Sequence, residues 1–483
     1  MSEQSASTPA APTEMTREAK LAVGVLVFGA FAMMLNETTL AVALPAIMGD
    51  LGVEANTAQW LMTGFMLTMA VLMPAMGWVI DRFTTRANFT ASLGLFLAGT
   101  IGAALAPSFP VLLLARVLQA AGTTILMPLL MTIVMRVVPV GRRGTVMGLI
   151  SVVMAVAPAL GPSVAGLVLS FSTWHTIFWL MVPLVGGAGL VGLGVMPSVG
   201  VTRRSRFDIV SMLLSAVAFG GLIYAISSIG AILGGGPSGR IALGLFALGA
   251  ASLLVFGRRQ VRLGRTDDAL LDLRPFTVRN YSLCLGVLLL VHAALLGALN
   301  VLPLYIQQSL LATALVSGLA VLPGGLLEGL LSPLFGRIYD RVGPRLLVVP
   351  GAIIVAASLL VLATVDHRSS LAFVIAVHVI FSVGLSMVYT PLMTTGLGSL
   401  PDELHAHGSA ILNTLQQLAA AMGTAFMIAT YSGVAAGRIA QGMGAPEGLG
   451  EGAATTFLVT GLVASVAAVG SFFVRPVPSA AGH

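Results

Sequence analysis

One short stretch occurs twice in this chain, and the repeat limits what the chain can fold into. GWVIDRFTTR occupies residues 77–86, and GRIYDRVGPR occupies residues 336–345. The matching glycines, aspartates and arginines all lie 259 residues apart, and each copy stands between two long apolar runs. A charged hairpin repeated once between apolar segments indicates two structurally equivalent halves.

The apolar runs are too long and too numerous for a soluble protein. The chain is 57% hydrophobic and only 9% charged, whereas soluble domains carry about 25% charged residues. A helix needs about 20 apolar residues to cross a bilayer, and polar loops divide this chain into fourteen runs of that kind. The sequence therefore predicts an all-α polytopic membrane protein.

The basic residues predict which way the chain crosses the membrane. If the N-terminus is cytoplasmic, twenty of the 24 lysines and arginines fall in cytoplasmic segments, as the positive-inside rule requires. We therefore expect a multi-pass protein of the cytoplasmic (inner) membrane with both termini inside. Only the predicted loop 401–408, PDELHAHG, departs from this rule, since it is acidic and carries histidines. We still expect it on the cytoplasmic side.

The 259-residue offset also predicts the domain organisation, with two parallel six-helix halves and two inserted helices. The last predicted half begins after a charged linker, 257–280, and contains a span predicted at 408–434. The expected divisions are a cytoplasmic tail (1–20), an N-terminal bundle (21–196), inserted helices 7 and 8 with their cytoplasmic linkers (197–280), a C-terminal bundle (281–474) and a second tail (475–483).

Several function classes are excluded by the same pattern. The net charge of +6 is spread between the spans rather than gathered on one face, so nucleic-acid binding is not expected. The single cysteine, Cys284, lies in an apolar run, which rules out an intrachain disulfide and a cysteine metal cluster. A formal GxGxxG at 187–192 lies inside a span with no strand before it. No enzyme, metal or organic cofactor is predicted.

Three charged side chains lie deep in apolar spans, where each is costly and is by default a functional candidate. Burial disfavours the carboxylate form of Glu37, so this residue can gain and lose a proton; the alternative is a carboxyl held by its polar neighbours. Arg116 keeps its charge and needs an anion or carbonyl oxygens, as a structural clamp or as a partner in proton coupling. Glu328 can neutralise a cationic substrate, supply a second proton site, or pack helices. His292 and His378 also lie in spans and are structural or functional candidates.

These residues resemble the major facilitator superfamily, and specifically its fourteen-span drug:proton antiporter branch, over residues 20–475. The twin hairpins match the motif G-x-L-x-D-R-x-G-R-R, and RVLQAAG, which begins at Arg116, is similar to R-x-x-Q-G-x-G. The segment APALGPSVAG resembles the antiporter motif of the family through Gly161, Pro162 and Gly166. The resemblance implies that the hairpins latch one conformation of alternating access, through Gly77, Asp81, Arg82, Arg86, Gly336, Asp340, Arg341 and Arg345.

The resemblance implies a proton-coupled antiporter that exports amphipathic, cationic or lipophilic drugs. Glu37 would carry the proton and Arg116 would tune it. The candidate substrate-binding residues are Glu328, Asn36, Met34, Met62, Phe65, His292 and Tyr305, because soft methionines and aromatic rings form adaptable cavities. The expected partners are a small-molecule substrate, protons as the coupling ion and the lipid bilayer, and we expect a monomer.

The chain departs from the family pattern at two places. The family usually has aspartate where this chain has Asn36, and the acid here is one residue later, at Glu37, about 100° around the helix. Thr84 occupies the second glycine position of the first hairpin, which Gly343 keeps in the second copy. A dedicated exporter of a single metabolite, antibiotic or lipid, and a non-transporting membrane sensor or scaffold, remain alternatives to a multidrug exporter.

Overall fold

The computed structural model describes residues 15–53, 55–58, 60–196, 207–229, 232, 235–266 and 269–476. In these ranges the chain is helical and contains no strand. Fourteen described helices are long and apolar enough to cross a membrane, so the all-α prediction and the predicted number of spans are confirmed. The tails before residue 15 and after residue 476, and residues 197–206, lie outside the described part.

We number these fourteen helices in chain order. The first six are α1 (Arg17–Leu51), α2 (Trp60–Arg82), α3 (Thr85–Ala104), α4 (Phe109–Val137), α5 (Arg143–Leu169) and α6 (His175–Val195). The next two are α7 (Ile209–Ser227) and α8 (Pro237–Leu263). The last six are α9 (Arg279–Gln308), α10 (Ala314–Val342), α11 (Arg345–Leu362), α12 (Leu371–Gly398), α13 (His405–Ala440) and α14 (Ala445–Ser471).

Polar side chains and glycines set the ends of these helices. The Thr16 hydroxyl accepts a hydrogen bond from the Ala19 amide at 3.2 Å and thereby starts α1, because the first amides of a helix lack internal partners. At the other end, Gly52 adopts φ +62°, which glycine does without a steric cost. Thr84 starts α3 and Thr313 starts α10 in the same way as Thr16.

The helices pack mainly within two groups. In one group α1 lies against α5 and α6, and α3 lies against α4 and α6; in the other α9 lies against α13 and α14, and α11 lies against α12 and α14. The groups meet where α5 packs along α10 and where α13 packs against α2 and α4. The predicted domain limits themselves remain a prediction.

The contact between α5 and α10 is close because glycines face each other. A Cβ atom added at Gly336 would lie 2.2 Å from the carbonyl oxygen of Gly144, and one at Gly148 would lie 2.6 Å from the carbonyl oxygen of Ser332. Small residues let helix backbones approach in a membrane. These contacts lie at the end of the bundle that carries residues 77–86 and 336–345, which we call the hairpin end.

The inserted helices α7 and α8 form a pair that is fastened by polar contacts. Asp208, just before α7, accepts hydrogen bonds from Arg259 Nε at 2.8 Å and Arg259 Nη2 at 3.0 Å. These bonds lower the pKa of Asp208 to about 2. Gln260 donates to the Ser211 hydroxyl and accepts from the Leu271 amide at 3.0 Å, which ties the pair to the segment that follows.

Two predicted loops are shorter in the structure. The span predicted at 408–434 begins three residues earlier, at His405, and extends to Ala440, so His405 and His407 are buried helical residues rather than loop residues. The linker predicted at 257–280 begins as helix, because α8 continues to Leu263. In both places polar residues extend a helix beyond the apolar core that hydropathy detects.

Candidate functional site

A buried polar cluster surrounds Arg116, two turns into α4. Its side chain is 1% exposed. Nη1 donates to Asn36 Oδ1 at 3.2 Å and to Gln119 Oε1 at 2.8 Å, and Nε donates to the Leu61 carbonyl at 3.4 Å. The guanidinium carbon stands 4.2 Å from the centre of the Phe65 ring, within the range of a cation–π contact. The charge is therefore held by neutral groups from α1, α2 and α4.

Glu37 lies beside this cluster but not in direct contact with Arg116. The Glu37 carboxylate and the guanidinium are near enough to attract each other, yet no ion pair within 4 Å joins them among the described residues. Glu37 is partly exposed, whereas Asn36 is 1% exposed. The residue at the usual acid position thus points at the arginine, and the displaced acid is offset around α1.

Two further features complete the surroundings of Arg116. Gln119, which accepts from Arg116, also donates to the Thr100 hydroxyl at 3.0 Å, so α3 holds it in place. The Nδ2 atom of Asn36 is buried and has no hydrogen-bond partner. A buried donor without a partner is costly, and it leaves a position where an additional oxygen atom could be bound.

The segment that resembles the antiporter motif packs on α1 next to Glu37. A Cβ atom at Gly161 would lie 2.0 Å from Thr38 Oγ1, so glycine is required for the approach of α5 to α1. By contrast, a Cβ at Gly166 would meet nothing within 4 Å. The helix runs unbroken through this segment, and the side chain of Pro162 lies outside the described part. Close packing is therefore found at Gly161 and not at Gly166.

A second polar cluster lies in the other group of helices, around Tyr389 on α12. Gln416 on α13 donates to the Tyr389 hydroxyl, and His292 Nδ1 on α9 lies 3.4 Å from the same oxygen. The carboxyl of Glu328 on α10 is close enough to Tyr389 to interact with it electrostatically. The structure thus brings two predicted residues, Glu328 and His292, to one tyrosine.

The other predicted substrate-binding residues fall in different places. Met34 and Met62 are partly exposed on α1 and α2, while Phe65 is buried beneath Arg116. Tyr305 is 0% exposed, and its hydroxyl donates to the carbonyl of Asp366 at 2.7 Å. In this conformation Tyr305 packs the loop between α11 and α12 and does not line an open space.

His378, the other histidine within a span, occupies a notch on α10. A Cβ atom at Gly324 would lie 2.6 Å from His378 Nε2. This nitrogen is buried and has no hydrogen-bond partner. His378 packs against α10, and among the described residues it makes no contact with Arg116.

At the hairpin end the second hairpin is fastened to the start of α5. Asp340 accepts hydrogen bonds from the Gly144 amide at 2.7 Å, the Thr145 amide at 2.9 Å and the Thr145 hydroxyl at 2.7 Å. The amides of a first helical turn carry partial positive charge and lack internal partners. Asp340 therefore joins the two groups of helices through charge-assisted hydrogen bonds.

The first hairpin makes a different contact, with α4 and α13. The carboxylate of Asp81 lies 3.5 Å from Arg136 Nη2 and 3.6 Å from His407 Nε2. His407 Nδ1 accepts a hydrogen bond from the Asp272 amide at 3.2 Å, which leaves Nε2 facing the Asp81 carboxylate. His407 thus connects the first hairpin to the segment between α8 and α9.

The arginines of the two hairpins do not take part in these contacts. Arg86, Arg341 and Arg345 are exposed, and Arg82 lies with its guanidinium carbon 5.9 Å from the Phe83 ring centre. None of the four forms an ion pair with a described residue. In this conformation the glycines and aspartates make the contacts at the hairpin end, and the arginines place positive charge at the surface.

Comparison with known proteins decides the family. The profile of the Major Facilitator Superfamily matches residues 26–424. The chain belongs to the major facilitator superfamily. Lincomycin resistance protein LmrB of Bacillus subtilis (strain 168) is 36% identical over 461 residues, 94% of this chain and 95% of that protein. This transporter is therefore a multi-pass membrane protein and not an enzyme.

Two further comparisons agree with this assignment. A multidrug resistance protein B homolog of Mycobacterium tuberculosis (strain ATCC 25618 / H37Rv) is 29% identical over 84% of this transporter and 74% of its own length. A crystal structure of a double-tryptophan mutant of XylE matches with a TM-score of 0.65 at 14% identity, covering 94% of this chain and 95% of that one. The resemblance found in the motifs is confirmed at the level of family and fold.

Sequence reasoning missed the partners of the predicted residues. Hydropathy predicts a loop at His407, and its place in an acidic segment is the signal that marks it. Tyr389 and Gln416 carry no charge and lie within apolar spans, so hydropathy gives them no prominence. The main-chain partners of Asp340 cannot be identified from side-chain types.

Proposed function

We propose that this transporter is a proton-coupled antiporter that exports amphipathic, cationic or lipophilic compounds by alternating access. The observation that carries the proposal is the buried Arg116, bound by neutral groups only, with the offset carboxyl of Glu37 in its field. A buried charge needs compensation. The Glu37 carboxyl compensates the charge of Arg116 only when it is deprotonated. The net charge around Arg116 would therefore depend on whether Glu37 has bound a proton.

The Arg116 cluster provides a mechanism for coupling. With Glu37 deprotonated, the carboxylate and the guanidinium attract each other and hold α1 against α4. With Glu37 protonated, the attraction is lost and Arg116 is left with Asn36 and Gln119. Because Gly161 lets α5 contact α1 next to Glu37, the same change acts on the helix that forms the interface between the two groups.

The Tyr389 cluster supports a site for the exported compound. Glu328 supplies a negative charge, and Tyr389 and His292 supply ring surfaces beside it. A carboxylate with aromatic neighbours suits a lipophilic cation, and the partly exposed Met34 and Met62 suit compounds of different shapes. Binding of a cation at Glu328 and of a proton at Glu37 would therefore use carboxyls in different groups of helices.

The distribution of basic residues supports a position in the inner membrane with the hairpin end on the cytoplasmic side. The contacts at Asp81, Asp340 and the paired glycines close that end. In this conformation the transporter would receive protons from the opposite side. Proton binding would favour opening of the hairpin end, where a proton is released and a compound is bound.

A fluorescence assay in proteoliposomes tests the coupling. A lipophilic cation such as ethidium is loaded, and its movement is followed with an imposed pH gradient. We expect Glu37→Gln to abolish gradient-driven movement, because glutamine cannot bind and release a proton. Glu447→Gln, at an exposed position at the start of α14, is the matched control and should leave the rate unchanged. Undiminished gradient-driven movement with Glu37→Gln would remove Glu37 from the mechanism.

A double substitution tests whether the position of the acid matters. Asn36 contacts Arg116 directly, so Asn36→Asp combined with Glu37→Gln moves the carboxyl to the arginine. We expect partial recovery of gradient-driven movement relative to Glu37→Gln alone. No recovery would show that the offset of Glu37, rather than a carboxyl near Arg116, is what coupling needs.

A dedicated exporter is the second candidate, favoured by the relative that is named for resistance to a single antibiotic. Lincomycin and ethidium, compared in the same assay, distinguish the two candidates. Movement of both compounds supports a multidrug exporter. Movement of lincomycin alone, with loss in Glu37→Gln, supports a dedicated proton-coupled exporter.

A further inference from the structure

An apolar groove lies on the outer side of α8, away from both polar clusters. It encloses about 470 Å³ and is lined by Leu253, Leu254, Gly257, Arg258, Val261 and Leu273. A Cβ atom added at Gly257 would meet nothing within 4 Å. The missing side chain therefore leaves open space between the leucines above it and Val261 below it.

The groove faces the region that lipids occupy. Leu254 is 67% exposed and Val261 is 55% exposed. Because α8 is long and apolar enough to cross the bilayer, these exposed side chains face lipid. The groove lies near the hairpin end, because its other wall is Leu273, next to the Asp272 amide that donates to His407. Its apolar part thus opens to the acyl chains of the leaflet at the hairpin end.

Positive charge stands at the polar end of the groove. Arg258, Arg262 and Arg265 are exposed, and none of them has an ion pair with a described residue. Arg258 and Arg262 lie four residues apart and so share one side of α8, and Arg265 follows in the short 3-10 turn after Leu263. Arg259, between them, differs because both of its nitrogens bind Asp208.

We propose that this groove binds an anionic phospholipid, with an acyl chain along Leu254 and Val261 and the phosphate at Arg258 and Arg262. Charge complementarity selects this occupant, since basic pockets between helices near the membrane surface bind anionic headgroups. A free phosphate would leave the apolar walls uncovered, and the headgroup of a zwitterionic lipid would bring a positive charge of its own next to the arginines. Each arginine near the headgroup contributes about a fivefold preference for anionic lipid.

The site does not depend on which compound is transported. Its occupant would contact Leu273 and therefore the segment whose Asp272 amide holds His407. A bound lipid would in this way contact the segment that is connected to Asp81 of the first hairpin through His407. The inserted helices then have a role that neither six-helix group supplies.

Native mass spectrometry of the full chain tests the site. The protein is released from nanodiscs of phosphatidylcholine that contain a minor fraction of phosphatidylglycerol with the same acyl chains. We expect retained phosphatidylglycerol to exceed its share of the mixture. In Arg258→Gln with Arg262→Gln this excess should fall more than tenfold, while Arg240→Gln, exposed at the other end of α8, should keep it.

A second variant distinguishes a lipid from a free anion. Gly257→Leu fills the groove without changing the charge, and we expect it to reduce retained phosphatidylglycerol as strongly as the arginine pair does. Unchanged retention with Gly257→Leu, or equal displacement by inorganic phosphate, would overturn the proposal in favour of a headgroup site alone. Equal retention of both lipids by the unaltered protein would overturn it entirely. Thermal unfolding in lipid-free detergent, unchanged in each variant, excludes loss of the fold.

Discussion

The two hairpins have nearly the same sequence and are fastened in different ways. Asp340 accepts three hydrogen bonds of 2.7–2.9 Å from the start of α5. Asp81, its equivalent, has Arg136 and His407 at 3.5 Å and 3.6 Å, beyond ordinary hydrogen-bond length. The same aspartate therefore becomes a helix cap in one copy and a longer ionic contact in the other. What decides this is the partner helix, which the hairpin sequence does not contain.

The glycines of the two hairpins also differ in what they contact, and again the second hairpin has the more rigid contact. Gly336 faces the backbone of Gly144, whereas Gly77 faces the imidazole of His407. A backbone cannot move without moving its helix, but a side chain can rotate. The second hairpin is thus a rigid contact and the first an adaptable one.

The turns that follow the hairpins explain the one glycine that is not repeated. Gly343 adopts φ +78° and ψ −177°, a region that is almost confined to glycine. Thr84 has φ −64° and ψ 152°, and its hydroxyl starts α3 by accepting from the Ala87 amide at 3.2 Å. Threonine is suitable in the first turn and would be strained in the second, so the two hairpins differ in shape.

The largest effect is expected from Gly336→Ala. Its Cβ would lie 2.2 Å from the Gly144 carbonyl oxygen, and overpacking of this kind costs about 1–3 kcal/mol or more. In a Cys284→Ala background with a cysteine at the buried Ser332, we expect maleimide labelling to rise about tenfold or more. Gly325→Ala on the same helix, where a Cβ meets nothing within 4 Å, is the control; equal labelling in both variants would contradict the rigid contact.

The second-largest effect is expected from Asp340→Asn, which should open the hairpin end more than Asp81→Asn does. Asp340→Asn keeps one acceptor oxygen but loses at least one of the three bonds, and a hydrogen bond to a charged group is worth about 1.5–3 kcal/mol. Asp81→Asn removes longer, partly exposed ionic contacts worth about 1 kcal/mol or less. We therefore expect Asp340→Asn to raise labelling at the hairpin end at least tenfold more than Asp81→Asn does. If the order were reversed, the first hairpin would be the stronger latch.

Gly77→Ala should have an intermediate effect that can be reversed. The new methyl group displaces the His407 ring, which lies 2.3 Å from the Cβ position at its Nδ1 atom. The displaced ring loses its bond from the Asp272 amide, at a cost of about 1 kcal/mol. Adding His407→Ala makes room, so Gly77→Ala should cause no further increase in labelling in that background. A full, additive increase would show that the ring is not what Gly77 accommodates.

Thr84→Gly should have the smallest effect. It removes the hydroxyl that starts α3 but leaves a residue that tolerates this position, at a cost of a few tenths of a kcal/mol. Thermal unfolding in detergent should shift by about 1 °C or less, and labelling at the hairpin end should not change. A shift as large as that of Asp340→Asn would mean that the first turn contributes to the latch.

The sequence predicted the fold more completely than the site. Apolar runs and the repeated hairpin are properties of the chain itself, so they predicted fourteen spans and two related halves. Arg116 was found because charge is rare in spans, but its bonds to Asn36 and the Leu61 carbonyl depend on how three helices pack. Hydropathy predicts a loop at His407 because polar residues at a helix start fall below the hydropathy signal. Residue type alone favours Tyr305 as a binding residue, but tertiary packing directs its hydroxyl to the Asp366 carbonyl.

The ion pair between Asp208 and Arg259 has a consequence for how the inserted helices respond to acid. Because the Arg259 bonds lower the pKa of Asp208 to about 2, this contact stabilises the fold above the ordinary aspartate pKa of about 4. Its contribution is lost only as the pH falls towards about 2. Neither a proton gradient nor an acidified cytoplasm reaches that range. The Asp208–Arg259 ion pair therefore keeps its charge over the pH range in which the proposed proton coupling takes place, and it holds the inserted helices together throughout that range.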